Sequence, residues 1–186
     1  GAAAPFLGLD ADKFEAGIRS IFARKKQQAY LEKLSYRDML TGLYNRNRYI
    51  ERLEAYKQVQ DQQIGAIYID LNGLKKVNDE QGHRAGDELI VRAAGTIAGI
   101  FAEDAYRVGG DEFVVILLDV SREEFARKTE QLRRQMQENS VDASIGGVWQ
   151  ASTENLEDLL RRADENMYRE KKRYYSQADA ARKPES

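Results

Sequence analysis

The acidic turn Gly109-Gly110-Asp111-Glu112 lies between two runs of strand-forming residues, Ala105-Tyr106-Arg107-Val108 and Phe113-Val114-Val115-Ile116-Leu117-Leu118. Apolar and β-branched residues on both sides of a glycine-led turn predict a β-hairpin, and a hairpin commits the chain to a sheet with carboxylates at its tip. A further apolar run, Ile64-Gly65-Ala66-Ile67-Tyr68-Ile69, stops at Asp70 and reads as a buried strand. If the hairpin pairs beside it, Asp70, Asp111 and Glu112 converge. A carboxylate is costly to bury beside a sheet, so such a cluster points to chemistry, although any one acidic residue at a strand end is equally well a turn residue.

Composition limits what that cluster could hold. The chain has no cysteine and one histidine, which excludes disulfides, thiolate zinc sites, cysteine nucleophiles and histidine-rich metal cages. Any metal must sit on oxygen, and magnesium binds through one or two carboxylates while keeping waters and substrate phosphates. Against 31 acidic residues stand 29 Lys and Arg, a net charge of −2, so bulk electrostatics give no reason to expect a nucleic-acid polymer as partner. No segment approaches the roughly 18 apolar residues that read as a membrane span, and no signal-peptide pattern opens the chain. No membrane contact by this segment, and a soluble, cytoplasmic location, are therefore expected.

Helical patterns alternate with the strands, as in an α/β domain. Residues Arg46 to Gln60 read as a helix, and from Ala85 to Phe101 the set Leu89, Ile90, Ala93, Ala94, Ile97, Ile100 and Phe101 recurs at three- and four-residue steps. Ser121 with Glu124 forms a capping box for a helix to about Glu138, and Val141 to Gln150 is another strand. Asn155 with Asp158 caps a last helix with the inner face Leu156, Leu159, Leu160, Ala163, Met167 and Tyr168. Before this domain, Asp12 to about Leu34 reads as a helix with apolar Phe14, Ile18, Ile21 and Phe22, whose stripe thins in Arg24-Lys25-Lys26-Gln27-Gln28. No heptad seam is sustained, so a lever or linker is expected. The resulting division is an N-terminal segment 1–34, a domain 35–176 and a frayed tail 177–186, with Gly1 to Pro5 an expression remnant or frayed end.

Gly109-Gly110-Asp111-Glu112-Phe113 resembles the motif that names the GGDEF family, the diguanylate cyclases, and other landmarks follow in order. Asp38-Met39-Leu40-Thr41-Gly42-Leu43-Tyr44-Asn45-Arg46 is similar to the family's opening motif. Asp70-Leu71-Asn72-Gly73-Leu74-Lys75-Lys76-Val77-Asn78-Asp79 and Gly82-His83-Arg84-Ala85-Gly86-Asp87 resemble its central block, and Ser144-Ile145-Gly146 and Ala163-Asp164 with Met167-Tyr168 its later ones. The resemblance spans about Tyr36 to Tyr175. It implies a palm-like α/β (α+β) nucleotidyl-cyclase fold, a central mostly antiparallel sheet flanked by helices, here with an N-terminal helical extension. The implied reaction condenses two GTP into cyclic di-GMP and two pyrophosphates across an antiparallel homodimer.

Residue by residue, the resemblance implies metal ligation by Asp70, the Leu71 carbonyl, Asp111 and Glu112 around two Mg²⁺, with Mn²⁺ as an alternative. Asp111 matches the proton acceptor for the attacking hydroxyl, with direct activation by metal as the rival. Lys75 matches the residue that stabilises the transition state. The Gly73 and Leu74 amides match the phosphate loop, and Asn78 with Asp87 the guanine-reading pair, because a carboxylate accepts from guanine N1–H and N2 where adenine offers no such donors. His83 is a loop-ordering residue beside the nucleotide, and Arg107 is structural. Lys171 matches the first phosphate-contacting cation of the last helix, but Tyr175 stands where an Arg is usual, with Lys172 or Arg173 as substitutes. The family's inhibitory product site is missing, since Ile100 and Glu103 stand where it has Arg and Asp. An upstream sensory domain acting through the first helix is implied as well. The rival is a catalytically silent nucleotide-binding or partner-docking module of the same fold.

Overall fold

The computed structural model describes residues 11–59, 61–152 and 154–181, in two units, Gly1–Ser35 and Tyr36–Ser186. Gly1 to Pro5 lies outside the described residues. Helix α1 (Ala11–Tyr36) covers the helix expected from Asp12 to about Leu34 and extends slightly past it. Phe14, Ile18, Ile21 and Phe22 are all exposed along it.

In the second unit the strands are β1 (Tyr44–Asn45), β2 (Ile64–Leu71), β3 (Ala105–Arg107), β4 (Glu112–Leu118) and β5 (Ala143–Gln150), in the sheet order β1-β3-β4-β2-β5. The pairs β3/β4, β4/β2 and β2/β5 are antiparallel, and the short β1 runs parallel to β3. The hairpin therefore lies directly beside the strand that ends in Asp70. The helices are α2 (Arg46–Tyr56), α3 (Leu74–Gln81), α4 (His83–Phe101), α5 (Arg122–Glu138) and α6 (Leu156–Ala181).

Strand side chains alternate between faces, and β2, interior to the sheet between β4 and β5, feeds two cores. Ile67, Ile69 and Leu71 pack with Phe113, Val115, Leu89, Ile90, Ala93 and Ile97 on the face covered by α4 and α5. Ile64 and Ala66 pack with Val114, Ile116, Tyr56, Leu159 and Ala163 on the face covered by α2 and α6. The same alternation puts Asp70 on the α6 face, where apolar packing stops. At the expected caps, Ser121 Oγ accepts from the Glu124 amide at 3.1 Å, one half of a capping box, and the Asn155 side chain accepts from the Asp158 amide at 3.1 Å.

Several expectations are corrected. Helix α2 ends at Tyr56 rather than Gln60, with Lys57 as its C-cap, because the chain tightens there: the Gln58 and Val59 amides bond three residues back, to the Ala55 and Tyr56 carbonyls, both at 3.1 Å. Helix α3 was not foreseen: its inward side chains are Leu74 and Val77 alone, too few to show a period. Helix α4 begins at His83 rather than Ala85, so His83 opens the helix instead of preceding it, and Asp87 lies beyond its first turn. Helix α6 continues through Ala181 past the expected fraying at Gln177. Tyr168 is 54% exposed and not part of its inner face, because Ala163 and Met167 carry the buried stripe.

Candidate active site

The register of β2 on β4 sets Asp70 opposite Glu112, and the Leu71 amide donates to the Asp111 carbonyl at 3.0 Å. Three of the sequence-derived metal residues, Asp70, Asp111 and Glu112, thus stand at one end of the sheet beside the Leu71 main chain, whose side chain is buried on the opposite, α4 face. Asp70 is 3% exposed, and Lys171 Nζ on α6 donates to its Oδ1 at 2.7 Å. Burial outweighs that partner and, with the Asp111 charge, pushes the Asp70 carboxyl above its ordinary value. Glu112 is raised for similar reasons, burial first and then the charges of Asp70 and Asp111. The charge of Asp164 on α6, a residue with no role assigned from sequence, adds to both shifts as the smallest of their causes.

Among the described residues no three acidic or histidine side chains form a closed cation cage. The donor set nevertheless fits a hard divalent ion: desolvated carboxylates that raise one another's affinity for protons are what such an ion relieves, and Mg²⁺ needs only one or two of them.

On the nucleotide side, the loop after β2 is pinned by Ser144 Oγ donating to Asn72 Oδ1 at 2.9 Å and by the Asn72 amide on the Asp142 carbonyl at 2.9 Å. Gly73 follows with φ +71, a left-handed conformation natural to glycine, and opens α3 at Leu74. Lys75 is exposed and, with Gly73, Lys76, Asp79, Tyr174 and Tyr175, lines a cavity of about 550 Å³. Helices α3 and α4 approach so closely that a Cβ on Gly86 would overlap the Asn78 carboxamide and crowd Leu74. The tight helix contact thereby brings Asn78 and Leu74 against the residue that precedes Asp87, and Asp87 and His83 are exposed on α4.

Helix α6 departs from expectation. Lys171, expected on the outer phosphates, pairs with Asp70, because the β2 alternation brings that buried carboxylate to the α6 face. Lys172 lies over the Tyr168 ring at 4.6 Å rather than in the site, and Arg173 is exposed. Tyr175 Oη accepts from the Gly73 amide at 3.4 Å. Glu103, in the missing inhibitory motif, accepts from Arg37 at 2.6 Å, and Ile100 packs against the core.

Arg107 does more than sequence reasoning credited. Its guanidinium donates to the Gly109 and Gly110 carbonyls at 3.2 and 2.8 Å and to Asp38 Oδ1 at 2.9 Å. Asp38 in turn accepts from the Thr41 amide and hydroxyl at 2.9 and 2.7 Å. One side chain therefore braces the turn that carries Asp111 against the turn that follows α1. Its place just before the glycines was the available signal, but nothing local named Asp38 as partner.

A family model described as diguanylate cyclase, GGDEF domain, matches residues 35–177. The chain is 32% identical to the uncharacterized protein YhcK of Bacillus subtilis over 89% of its own length and 49% of that protein's. It is 36% identical to the probable diguanylate cyclase DgcJ of Escherichia coli over 70% and 28%. The chain spans about half the length or less of the curated relatives named here. Among solved structures, the GGDEF domain of TpbB (YfiN) from Pseudomonas aeruginosa is 30% identical with a TM-score of 0.61, covering 74% of this chain and 90% of that one. The coiled coil and GGDEF domain of Caulobacter crescentus DgcB, solved with c-di-GMP, has a TM-score of 0.71 over 87% and 94% but is 19% identical, a likeness of fold. With the palm-like α+β sheet, the acidic hairpin beside β2 and the α3–α4 junction all in place, this chain belongs to the GGDEF-domain family, the family of the diguanylate cyclases.

Proposed function

We propose that the chain is a magnesium-dependent diguanylate cyclase module that converts two GTP into cyclic di-GMP and two pyrophosphates. The observation that carries this reading is the pairing of Asp70 with Glu112 in register, beside Asp111, at a desolvated sheet end where carboxyl groups are raised and one ammonium is the counter-charge. Asp70, Asp111, Glu112 and the Leu71 carbonyl would hold the ion, and Mg²⁺ there supplies charge to the triphosphate and acidity to the 3′-hydroxyl.

The chain's own groups do the rest. Asn78 and Asp87 hold guanine, the Gly73 and Leu74 amides meet phosphate, and His83 orders the loop at the start of α4. In each half-reaction the 3′-oxygen of one GTP forms a bond to the α-phosphorus of the other, the bond to the β-phosphate oxygen breaks, and pyrophosphate leaves. Asp111 accepts the hydroxyl proton, and the Lys75 ammonium offsets charge building on phosphate. Two such steps need two sites facing one another, so the active species is a homodimer in which proximity supplies a large share of the rate. The apolar face of α1 is the device that sets this encounter, under an upstream sensory domain.

No helix among the described residues is long and apolar enough to cross a membrane, and the module works where GTP is abundant, in the cytoplasm. Incubation with GTP and Mg²⁺ followed by product chromatography tests the reading. Cyclic di-GMP that disappears in Asp111→Ala supports it, and no product from the intact chain identifies the silent module. Specific activity that stays flat down to monomeric dilution removes the dimer.

A further inference from the structure

Two side chains of α6, four residues apart and so on one face of the helix, reach the end of β2 and the loop that follows it. Lys171 Nζ donates to Asp70 Oδ1 at 2.7 Å, and Tyr175 Oη accepts from the Gly73 amide at 3.4 Å. The Tyr175 ring is braced edge-on by Tyr174, with centroids 5.2 Å apart at 88°, and both rings line the cavity of about 550 Å³ that also contains Gly73 and Lys75.

Each contact takes a group that the proposed reaction needs. A divalent ion and the Lys171 ammonium are alternative partners for the same carboxylate oxygen, and a phosphate oxygen and the Tyr175 hydroxyl are alternative acceptors for the same N–H. A phenol in this place brings no charge to a polyphosphate and can donate one hydrogen bond at most, whereas the backbone amide it covers is a donor that phosphate uses well. The open cavity beside the ring gives it somewhere to move. We propose that Lys171 and Tyr175 form a latch by which α6 holds the end of β2 and the loop after it, that nucleotide binding exchanges both contacts together, and that Tyr175 is a positioning residue that weakens capture of the phosphate tail. The proposal rests on the cyclase reading for its substrate, but the contacts it names are read with a simpler probe.

The experiment is a titration of the wild-type chain, Tyr175→Phe and Tyr175→Arg with pyrophosphate in Mg²⁺, followed by the Gly73 amide resonance, with thermal melts to check that each variant is folded. Removing one long, neutral hydrogen bond should tighten pyrophosphate binding about threefold in Tyr175→Phe and move the Gly73 amide before any ligand is added. Tyr175→Arg, which cannot accept from the amide and adds a charge, should gain about tenfold. With GTP the gain should fall on KM rather than kcat. Tyr175→Phe binding that is equal to or weaker than wild type, or a Gly73 amide that does not move, overturns the latch. If the wild-type chain makes no cyclic di-GMP while Tyr175→Phe still binds pyrophosphate more tightly, the latch stands and the cyclase reading falls. Turnover with identical affinities removes the latch alone.

Discussion

Replacing Arg107 with alanine tests how the hairpin turn is held. The Arg107 side chain is 13% exposed, and its guanidinium makes charge-assisted hydrogen bonds to the Gly109 and Gly110 carbonyls and to Asp38, whose own side chain is 24% exposed. Bonds to charged groups contribute about 1.5–3 kcal/mol each. The two carbonyls lie at a surface turn that water can reach, and Asp38 keeps its bonds from Thr41, so we expect a total loss of about 3 kcal/mol rather than the full sum. At about 2–4 °C per kcal/mol for a unit of this size, the melting temperature of Arg107→Ala should fall by about 6–12 °C. Arg107→Lys, which keeps the charge but not the fork, should recover only part of this.

The same brace positions Asp111, and a misplacement of 1 Å near reacting groups costs up to about 10²-fold. Activity at a temperature where the variant is fully folded should therefore drop by about 10- to 100-fold in kcat. The pH dependence gives a second reading. Burial pulls the Asp38 carboxyl up, but hydrogen bonds from Thr41 and Arg107 outweigh it and hold it below its ordinary value. A carboxyl depressed by folding lends stability above its ordinary titration range and loses it as pH falls through the depressed value. The gap in melting temperature between wild type and Arg107→Ala should accordingly be full at neutral pH and shrink in acid. A variant that melts within about 1 °C of wild type and turns over GTP normally would refute the brace.

Asp70→Asn should abolish cyclase activity without lowering the melting temperature at neutral pH: burial and Asp111 raise this carboxyl, so its ionised form costs stability as pH rises through the raised value. Added Mg²⁺ should raise the melting temperature at neutral pH, and the gain should fade on acidification sooner than for ordinary carboxylates, because Asp70 and Glu112 both take up protons early. Loss of the gain in Asp70→Asn would place the ion, and an equal gain in that variant would refute the assignment. Asp87→Ala should raise KM for GTP by about 10²-fold and erode preference over ATP, read by substrate competition.

Much of this protein was legible one segment at a time. The hairpin around Gly109-Gly110-Asp111-Glu112, the Ser121 and Asn155 caps and the stripe of α4 rest on neighbours within a few residues, so turn chemistry, capping hydrogen bonds and periodicity declare them locally. Short elements without a period, α3 and the two-residue β1, were not visible, because α3 buries too few side chains to repeat and β1 forms its ladder by parallel pairing with the distant Tyr106 and Arg107.

Tertiary structure decided the rest. Whether Asp70 meets Glu112 or points away depends on which strands pair and in what register, and no local signal carries that. The partner of Lys171 follows from the face to which the β2 alternation turns Asp70, the partner of Arg107 lies 69 residues upstream, and Tyr175 reaches Gly73 across 102 residues. Sequence by itself determined the chemical groups and their local frames, because those depend on covalent neighbours. Which charges compensate one another at the site was set only when the sheet closed and α6 packed across it, because electrostatic pairing depends on distance in space and on burial.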